Sequence, residues 1–226
     1  MIGVMPIRYI PFINEHFYHI YNRGVEKRRI FLDKREHRRF IDTLTYYRYQ
    51  RPQFKYSRFL KLSVKEREMY LTNLAKTSSP LVTFVSYVLM PNHFHLLVQQ
   101  LTDDGISLLM KLLSDSYTRY FNTKNERVGS LFQGQFKAVR VESDEQLLHL
   151  SRYIHLNPYT SYLVKTIDNL HLYPWSSLQQ YFGGQGICDT SYITSAFSTK
   201  KSLKSFIVNH ADYQRKLEEI KHLMFD

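Results

Sequence analysis

One cysteine, Cys188, stands in 226 residues. That scarcity excludes an internal disulfide and any zinc site built from several thiolates, and it suits a reducing compartment. A nucleophilic Cys188 needs a low-pKa setting that nothing nearby announces, so an inert thiol is expected. No apolar run reaches the roughly 18 residues that a membrane span requires. The stretch 1–8 has no basic segment leading into a long apolar core, so no secretory signal is expected. Together these absences point to a cytoplasmic protein outside the membrane. Acidic residues are also short: 20 Asp and Glu face 31 Lys and Arg, a net charge of +11. What is abundant is aromatic surface, 15% of the chain, led by 18 Tyr and 15 Phe. Cations for phosphates and rings for bases suggest a nucleic-acid partner. With 43% apolar residues the composition is globular. The length allows a core without disulfides, in one generous domain or one domain with appendages.

Read in order, residues 1–15 are irregular, broken by Pro6 and Pro11. His16 to Gly24 reads as a strand, with Phe17, His19 and Tyr21 on one face and Tyr18 and Ile20 on the other. His16 and His19 fall on opposite faces, so they do not form a ligand pair. Asp33 caps a helix predicted from about Lys34 to Arg48, with Phe40, Ile41, Leu44 and Tyr47 at helical spacing. Residues 51–80 look like an insertion opened by Arg51-Pro52 and closed by Ser79-Pro80, with a helix over Val64 to Lys76. Leu81 to Met90 alternates as a strand, Pro91-Asn92 turns the chain, and His93 to Gln99 returns as the second arm of a hairpin. A helix follows from about Ile106 to Asn122, its core face expected at Leu108, Leu109, Leu112, Leu113 and Tyr117. Phe136 to Val141 is a short strand. Ser143-Asp144 then caps a last helix that Pro158 is expected to stop. This β-α-β-β-α-β order with a helix after it predicts an α+β, ferredoxin-like antiparallel sheet with helices on one face. A helical insertion and a C-terminal helical extension complete it. The expected division is a catalytic domain over 1–183 and an extension over 184–226. In the extension, Ser202 to Asn209 and Asp212 to Leu223 are the expected helices.

His93 and His95 lie two apart on a strand, so both imidazoles face one way while Phe94 turns into the core. That is how a rigid scaffold presents two metal ligands, although in a chain with 10 histidines the pair alone also reads as two half-exposed strand residues. About sixty residues on, Tyr153 and Asn157 are four apart on the last helix and share one of its faces. Singly, Tyr153 reads as a packed tyrosine and Asn157 as a helix C-terminal residue. Together the four residues make a mechanism. His93, His95 and Asn157 offer two nitrogens and one oxygen to a divalent cation, and the Tyr153 hydroxyl is a nucleophile for a phosphodiester.

The stretch Met90-Pro91-Asn92-His93-Phe94-His95-Leu96-Leu97 resembles the HUH motif of single-strand DNA transposases that carry one catalytic tyrosine. Arg152-Tyr153-Ile154-His155-Leu156-Asn157-Pro158 resembles their tyrosine helix. Three further stretches are similar to the REP-associated tyrosine transposases: residues 18–24, residues 131–137 and Tyr173-Pro174-Trp175-Ser176-Ser177. The resemblance covers about residues 14–183. It implies a ferredoxin-like fold, Mg²⁺ or Mn²⁺ held by His93, His95 and Asn157, and Tyr153 as the nucleophile. It implies cleavage of single-stranded DNA beside a hairpin, leaving a 5′-phosphotyrosine and a free 3′-OH. Arg23, Lys137, Arg140 and Arg152, which lie in these motifs or beside them, are the expected DNA contacts. Where other branches of the family carry glutamine at the third ligand position, this chain has the shorter Asn157. The insertion and the extension also depart from the minimal family domain. Monomer and homodimer are both open. The rival reading is a ferredoxin-like module that binds hairpin DNA or RNA without cutting it, its aromatic residues stacking bases.

Overall fold

The computed structural model describes residues 11–50, 52–209, 211, 212, 214 and 215. The N-terminal stretch 1–8, Arg51 at the mouth of the insertion and most of the helix expected over Asp212 to Leu223 lie outside the described residues. The alternation of Tyr18 and Ile20 with Phe17, His19 and Tyr21 gives strand β1 (Phe17–Arg23) two unlike faces. β1 lies at the middle of a four-stranded antiparallel sheet with β2 (Val82–Met90), β3 (His93–Gln100) and β4 (Lys137–Arg140), in the order β2-β3-β1-β4. The hairpin turns at Pro91 and Asn92 as its sequence requires.

Helices α1 (Lys34–Tyr47) and α4 (Gly105–Lys124) cover one face of the sheet, the ferredoxin-like arrangement. The α1 amide ladder starts where Asp33 accepts from Glu36 N at 2.9 Å, satisfying an otherwise orphaned donor. Ile20, Phe94 and Leu96 from the sheet meet Phe40 and Leu44 from α1 and Leu109, Leu113 and Tyr117 from α4, all fully or nearly fully buried. Each such side chain contributes roughly 1.5–3 kcal/mol by leaving water. Of the expected core face, Leu108 is 38% exposed and lies outside it, while Leu112 is half-buried, packing against the core and lining an outer groove. Met110, Ile106 and Phe121 complete the buried stripe instead, because α4 is rotated to pack against α1 as well as the sheet.

The insertion holds two helices, α2 (Tyr56–Phe59) and α3 (Val64–Thr77), and Ser63 with Glu66 forms a reciprocal cap on α3. Strict alternation fails once in β2. The register slips between Phe84 and Ser86, so Val85 is an extra residue. Phe84 therefore faces α1 and α4 together with Tyr87 and Leu89, while Ser86, Val88 and Met90 face the other way.

That other face is covered by helix α5 (Asp144–Thr160) and the C-terminal segment. Pro158 does not stop α5; the helix runs two residues further. Proline removes one N–H from the ladder, and the next turn closes without it: Ser161 N donates to Asn157 O at 3.0 Å. Two short 3-10 turns (Ile167–Leu172 and Leu178–Phe182) lead to α6 (Ser191–Thr194) and α7 (Lys200–Val208), whose Ile193, Leu203 and Ile207 join Ile154 and Tyr159 of α5 in a second core. The Tyr173–Ser177 motif runs along the outer edge of β2. Leu89 N donates to Trp175 O at 2.8 Å and Ser177 N to Tyr87 O at 3.0 Å, so the open sheet edge is occupied. No helix among the described residues is long and apolar enough to cross a membrane.

Candidate active site

The sheet face that meets α5 carries the two histidines of the hairpin. In the antiparallel register Tyr21 sits opposite His95 and Arg23 opposite His93, so all four side chains share this face. His93 and His95 have ring centroids 5.1 Å apart at 90°. His19, one pair further along β1, brings its Nε2 to 2.8 Å from His95 Nδ1.

Helix α5 is fixed above them by two polar anchors one turn apart. Ser151 Oγ lies 2.9 Å from Ser86 Oγ, within a buried hydroxyl cluster closed by Tyr181. His155 Nε2 lies 2.8 Å from Ser177 Oγ. Ser177 Oγ accepts from Tyr87 N at 2.9 Å and donates its one proton to Tyr87 O at 3.3 Å, so the imidazole is the donor in that bond. Ser151 and His155 both face β2, and Tyr153 between them is turned toward the histidines. Its ring centroid is 5.6 Å from that of His95 and 6.3 Å from that of His19. From Ser151 beside Ser86, past Tyr153 beside His95, α5 runs toward the His93 end of the hairpin. Asn157 is thus on the His93 side of Tyr153, one turn on. Its Nδ2 donates to Tyr153 O at 3.0 Å, and its Oδ1 accepts no hydrogen bond among the described residues.

The nitrogens are ordered by what each Nδ1 touches. Asn92 Nδ2 donates to Lys27 O at 3.3 Å, which turns its Oδ1 to His93 Nδ1 at 2.6 Å. His93 therefore carries its proton on Nδ1 and a lone pair on Nε2. When His95 donates Nδ1–H to His19 Nε2, its own Nε2 keeps a lone pair in the same way. Burial pulls the His19 pKa down to about 4 and holds His95 well below its usual value, the latter also opposed by His93 and His19. Both rings are neutral at pH 7, the state that ligates metal. Among the described residues no group of three His, Cys, Asp or Glu side chains is arranged to hold a metal ion. Two imidazole nitrogens and the Asn157 amide oxygen are the donors that this face could offer a divalent cation.

A cavity of about 530 Å³ opens beside this cluster, lined by His19, Tyr21, His95, Val139, His149 and Tyr153 among others. Arg23 and Lys137 are on its face of the sheet, Lys137 opposite Tyr21 in the β1–β4 pairing. Arg23 is held by a hydrogen bond to Gln133 Oε1, and Gln133 N donates to Arg23 O at 2.8 Å, so the 131–134 loop positions this strand end. Gly24 is required there by space. A Cβ would lie 2.3 Å from Arg28 O. Arg140 pairs with Tyr18 at the end of the edge strand β4 and is itself among the residues lining the cavity. Arg152 does not point into the cavity; it donates to His149 Nδ1 at 2.7 Å and lies 4.7 Å over the Phe206 ring. His19, Tyr21 and His149 were not singled out by sequence reasoning. His149 precedes Tyr153 by four residues, a spacing that marks it in retrospect; His19 becomes a neighbour of His95 only through strand register. Cys188 lies elsewhere, its thiol pushed up to about 12 by burial, as an inert thiol should be.

Residues 43–157, just over half the chain, match the family described as transposase IS200 like. Among solved structures, a REP-associated tyrosine transposase bound to a REP hairpin shares the fold. It is 14% identical, with a TM-score of 0.54 over 87% of this chain and 96% of that one. A bacterial tRNA(His) guanylyltransferase-like protein in complex with ATP aligns at 8% identity over 74% of this chain and 71% of that one, with a TM-score of 0.34. No curated protein matches by sequence.

Proposed function

The chain belongs to the IS200-like transposase family, and from that premise we propose that it cleaves and rejoins single-stranded DNA through a phosphotyrosine on Tyr153. The observation that carries this reading is the convergence of Tyr153 from α5 on His95 from β3, at 5.6 Å, with His93 beside it. A divalent cation, Mg²⁺ or Mn²⁺, bound by His93, His95 and Asn157, would supply Lewis-acid polarisation of the scissile phosphodiester. Tyr153 Oη attacks phosphorus and gives up its proton to solvent. The P–O3′ bond breaks, the departing 3′ oxygen takes up a proton, and the 5′ phosphate stays joined to the tyrosine. Attack by a 3′-OH on that phosphotyrosine reverses the step and joins strands, so no nucleoside triphosphate is consumed. A phenol ionises near pH 10, so the buried anchors Ser151 and His155 matter. They hold Tyr153 oriented for attack.

Arg23 and Lys137, on the same face, suit the phosphates flanking the scissile bond. The net charge of +11 supports a polyanionic substrate. The relative of the same fold is bound to a REP hairpin, which supports single-stranded DNA beside a hairpin as the substrate here. A cytoplasmic location, as monomer or homodimer, accords with this role.

The test is incubation of the protein with a broad pool of single-stranded hairpin oligonucleotides and Mg²⁺ or Mn²⁺, with adducts read on a denaturing gel. The expected result is a covalent adduct with the wild type and none with Tyr153→Phe or with His93→Ala/His95→Ala. Cleavage retained in Tyr153→Phe would sink the phosphotyrosine step in favour of water as nucleophile. Tight hairpin binding with no adduct on any substrate would favour the binding module.

A further inference from the structure

A second groove of about 530 Å³ lies on the far side of the molecule, on the solvent side of the α1–α4 layer, so that layer and the sheet separate it from Tyr153. It shares no residue with the cavity at Tyr153. Arg39 of α1 reaches into it between two aromatic rings, its Cζ 4.4 Å from the Tyr56 centroid and 4.8 Å from that of Tyr120. Both rings are themselves placed by structure. Tyr120 is carried by α4, and Tyr56 is buried at the start of α2 with its N–H donating to Tyr47 Oη at 3.0 Å. The Arg39 guanidinium makes no hydrogen bond or ion pair among the described residues, and its buried Nε has no partner. Asp42, three residues on along α1, forms no ion pair with it.

The rest of the lining explains what the guanidinium is for. Lys55 and Arg119 are exposed on either side, and Asp115 is the one acid in the lining. Lys124, also in the lining, is already committed to Asp33 Oδ2 at 2.6 Å and Glu36 Oε1 at 2.9 Å. An arginine with its faces against rings presents its N–H edge as a fixed fork, and that fork matches a phosphate in two parallel bonds. A carboxylate leaves one cation of the three unanswered, whereas a phosphate carries charge and oxygens for all of them. The volume falls in the range of small-ligand sites. We propose that this groove is a phosphate-binding site, in which Arg39, Lys55 and Arg119 receive the phosphate of a nucleotide. The insertion supplies Lys55, Tyr56 and Ser57, which gives it a role that the ferredoxin-like core lacks. The phosphate has two possible sources, a free nucleoside monophosphate or the backbone of DNA held by the same molecule. The site stands whether or not Tyr153 is a nucleophile.

The test is isothermal titration of the full chain, without divalent metal, using three probes: inorganic phosphate, AMP and the single strand dT12. The variants are Lys55→Glu/Arg119→Glu, at exposed positions where the fold is kept, and Arg39→Lys, which keeps the charge and loses the fork. Circular dichroism melts check that each is folded. The expected result is a loss of about tenfold or more in phosphate or AMP affinity in both variants, the scale of one charge-assisted bond. A parallel loss for dT12 in Arg39→Lys, with or without AMP binding, assigns the phosphate to DNA; loss for AMP with dT12 unchanged assigns it to a free nucleotide. No binding of any probe by the wild type, or equal affinities in wild type and both variants, would overturn the proposal.

Discussion

His19 Nε2 and His95 Nδ1 meet at 2.8 Å, and one proton serves both rings. With the proton on His95 Nδ1, the ring is turned so that Nε2 faces the cavity, and His19 acts on the site only by holding it there. Removal of such an outer partner typically weakens metal binding roughly 10–100-fold. His19→Phe is therefore expected to lower Mn²⁺ affinity by about that factor in a calorimetric titration, with the fold intact. An unchanged Mn²⁺ affinity would show that His95 needs no partner. The sequence places His19 on the right face of β1 but not beside His95. The register of β1 on β3 makes that pairing, and it is fixed by apolar residues on the opposite face, Ile20 against Leu96 and Tyr18 against Val98.

Helix α5 is the element on which the site depends, and it is held at three points. Ser151 and His155 tie its middle to β2 and the 173–177 segment. Its C-terminal turn is held by Arg215, which donates to Tyr159 O at 2.8 Å and Val164 O at 3.2 Å, and by Asp212, which accepts from Tyr159 Oη at 2.7 Å. A cation on the last carbonyls satisfies acceptors that helix geometry leaves open and complements the helix dipole. Arg215→Ala is expected to cost roughly 1–3 kcal/mol in urea unfolding and to speed amide exchange over residues 157–161. Wild-type exchange in that turn would show that the second core alone holds it. Pro158 reads in sequence as a stop, and the ladder does lose one bond there. The helix continues because Tyr159 is buried in the second core and its carbonyl has Arg215.

At the scale of the whole molecule, the sheet is covered on both faces, and histidines are buried on both sides of it. His155 is fully buried with its pKa lowered to about 3, His19 is lowered to about 4, and His95 and His37 are also lowered, each chiefly by burial. In the unfolded chain these rings take up protons near pH 6.5, whereas in the folded protein they do so only well below that. The unfolded state thus binds more protons as pH falls, and stability present above pH 6.5 is lost on the way down to the folded values. For His155 alone the loss between pH 7 and pH 5 is roughly 2 kcal/mol. Urea unfolding is expected to weaken steadily over this range, and His155→Gln should flatten the slope by about one proton. An unchanged slope in that variant would mean His155 is not protonated on unfolding. Asp33, held below the usual carboxylate range by Lys124, acts in the same direction at lower pH, below the histidine window.

Local pattern decided a great deal by itself. Alternation in β1 and β3 assigns each side chain a face, so His93 and His95 are paired and Phe94 is in the core before any fold is known. Asp33, Ser143 and the four-residue spacing of Tyr153 and Asn157 likewise follow from helix geometry alone. Those relations hold within one element, where bond geometry fixes which residues are neighbours. The tertiary structure decided the rest. It placed α5 on the face opposite α1 and α4, slipped β2 by one residue at Val85, set His19 against His95 and closed a second groove with the insertion. Each of these joins residues far apart in sequence. Such neighbours are selected by the competition among all apolar faces for burial, which no single stretch of chain contains.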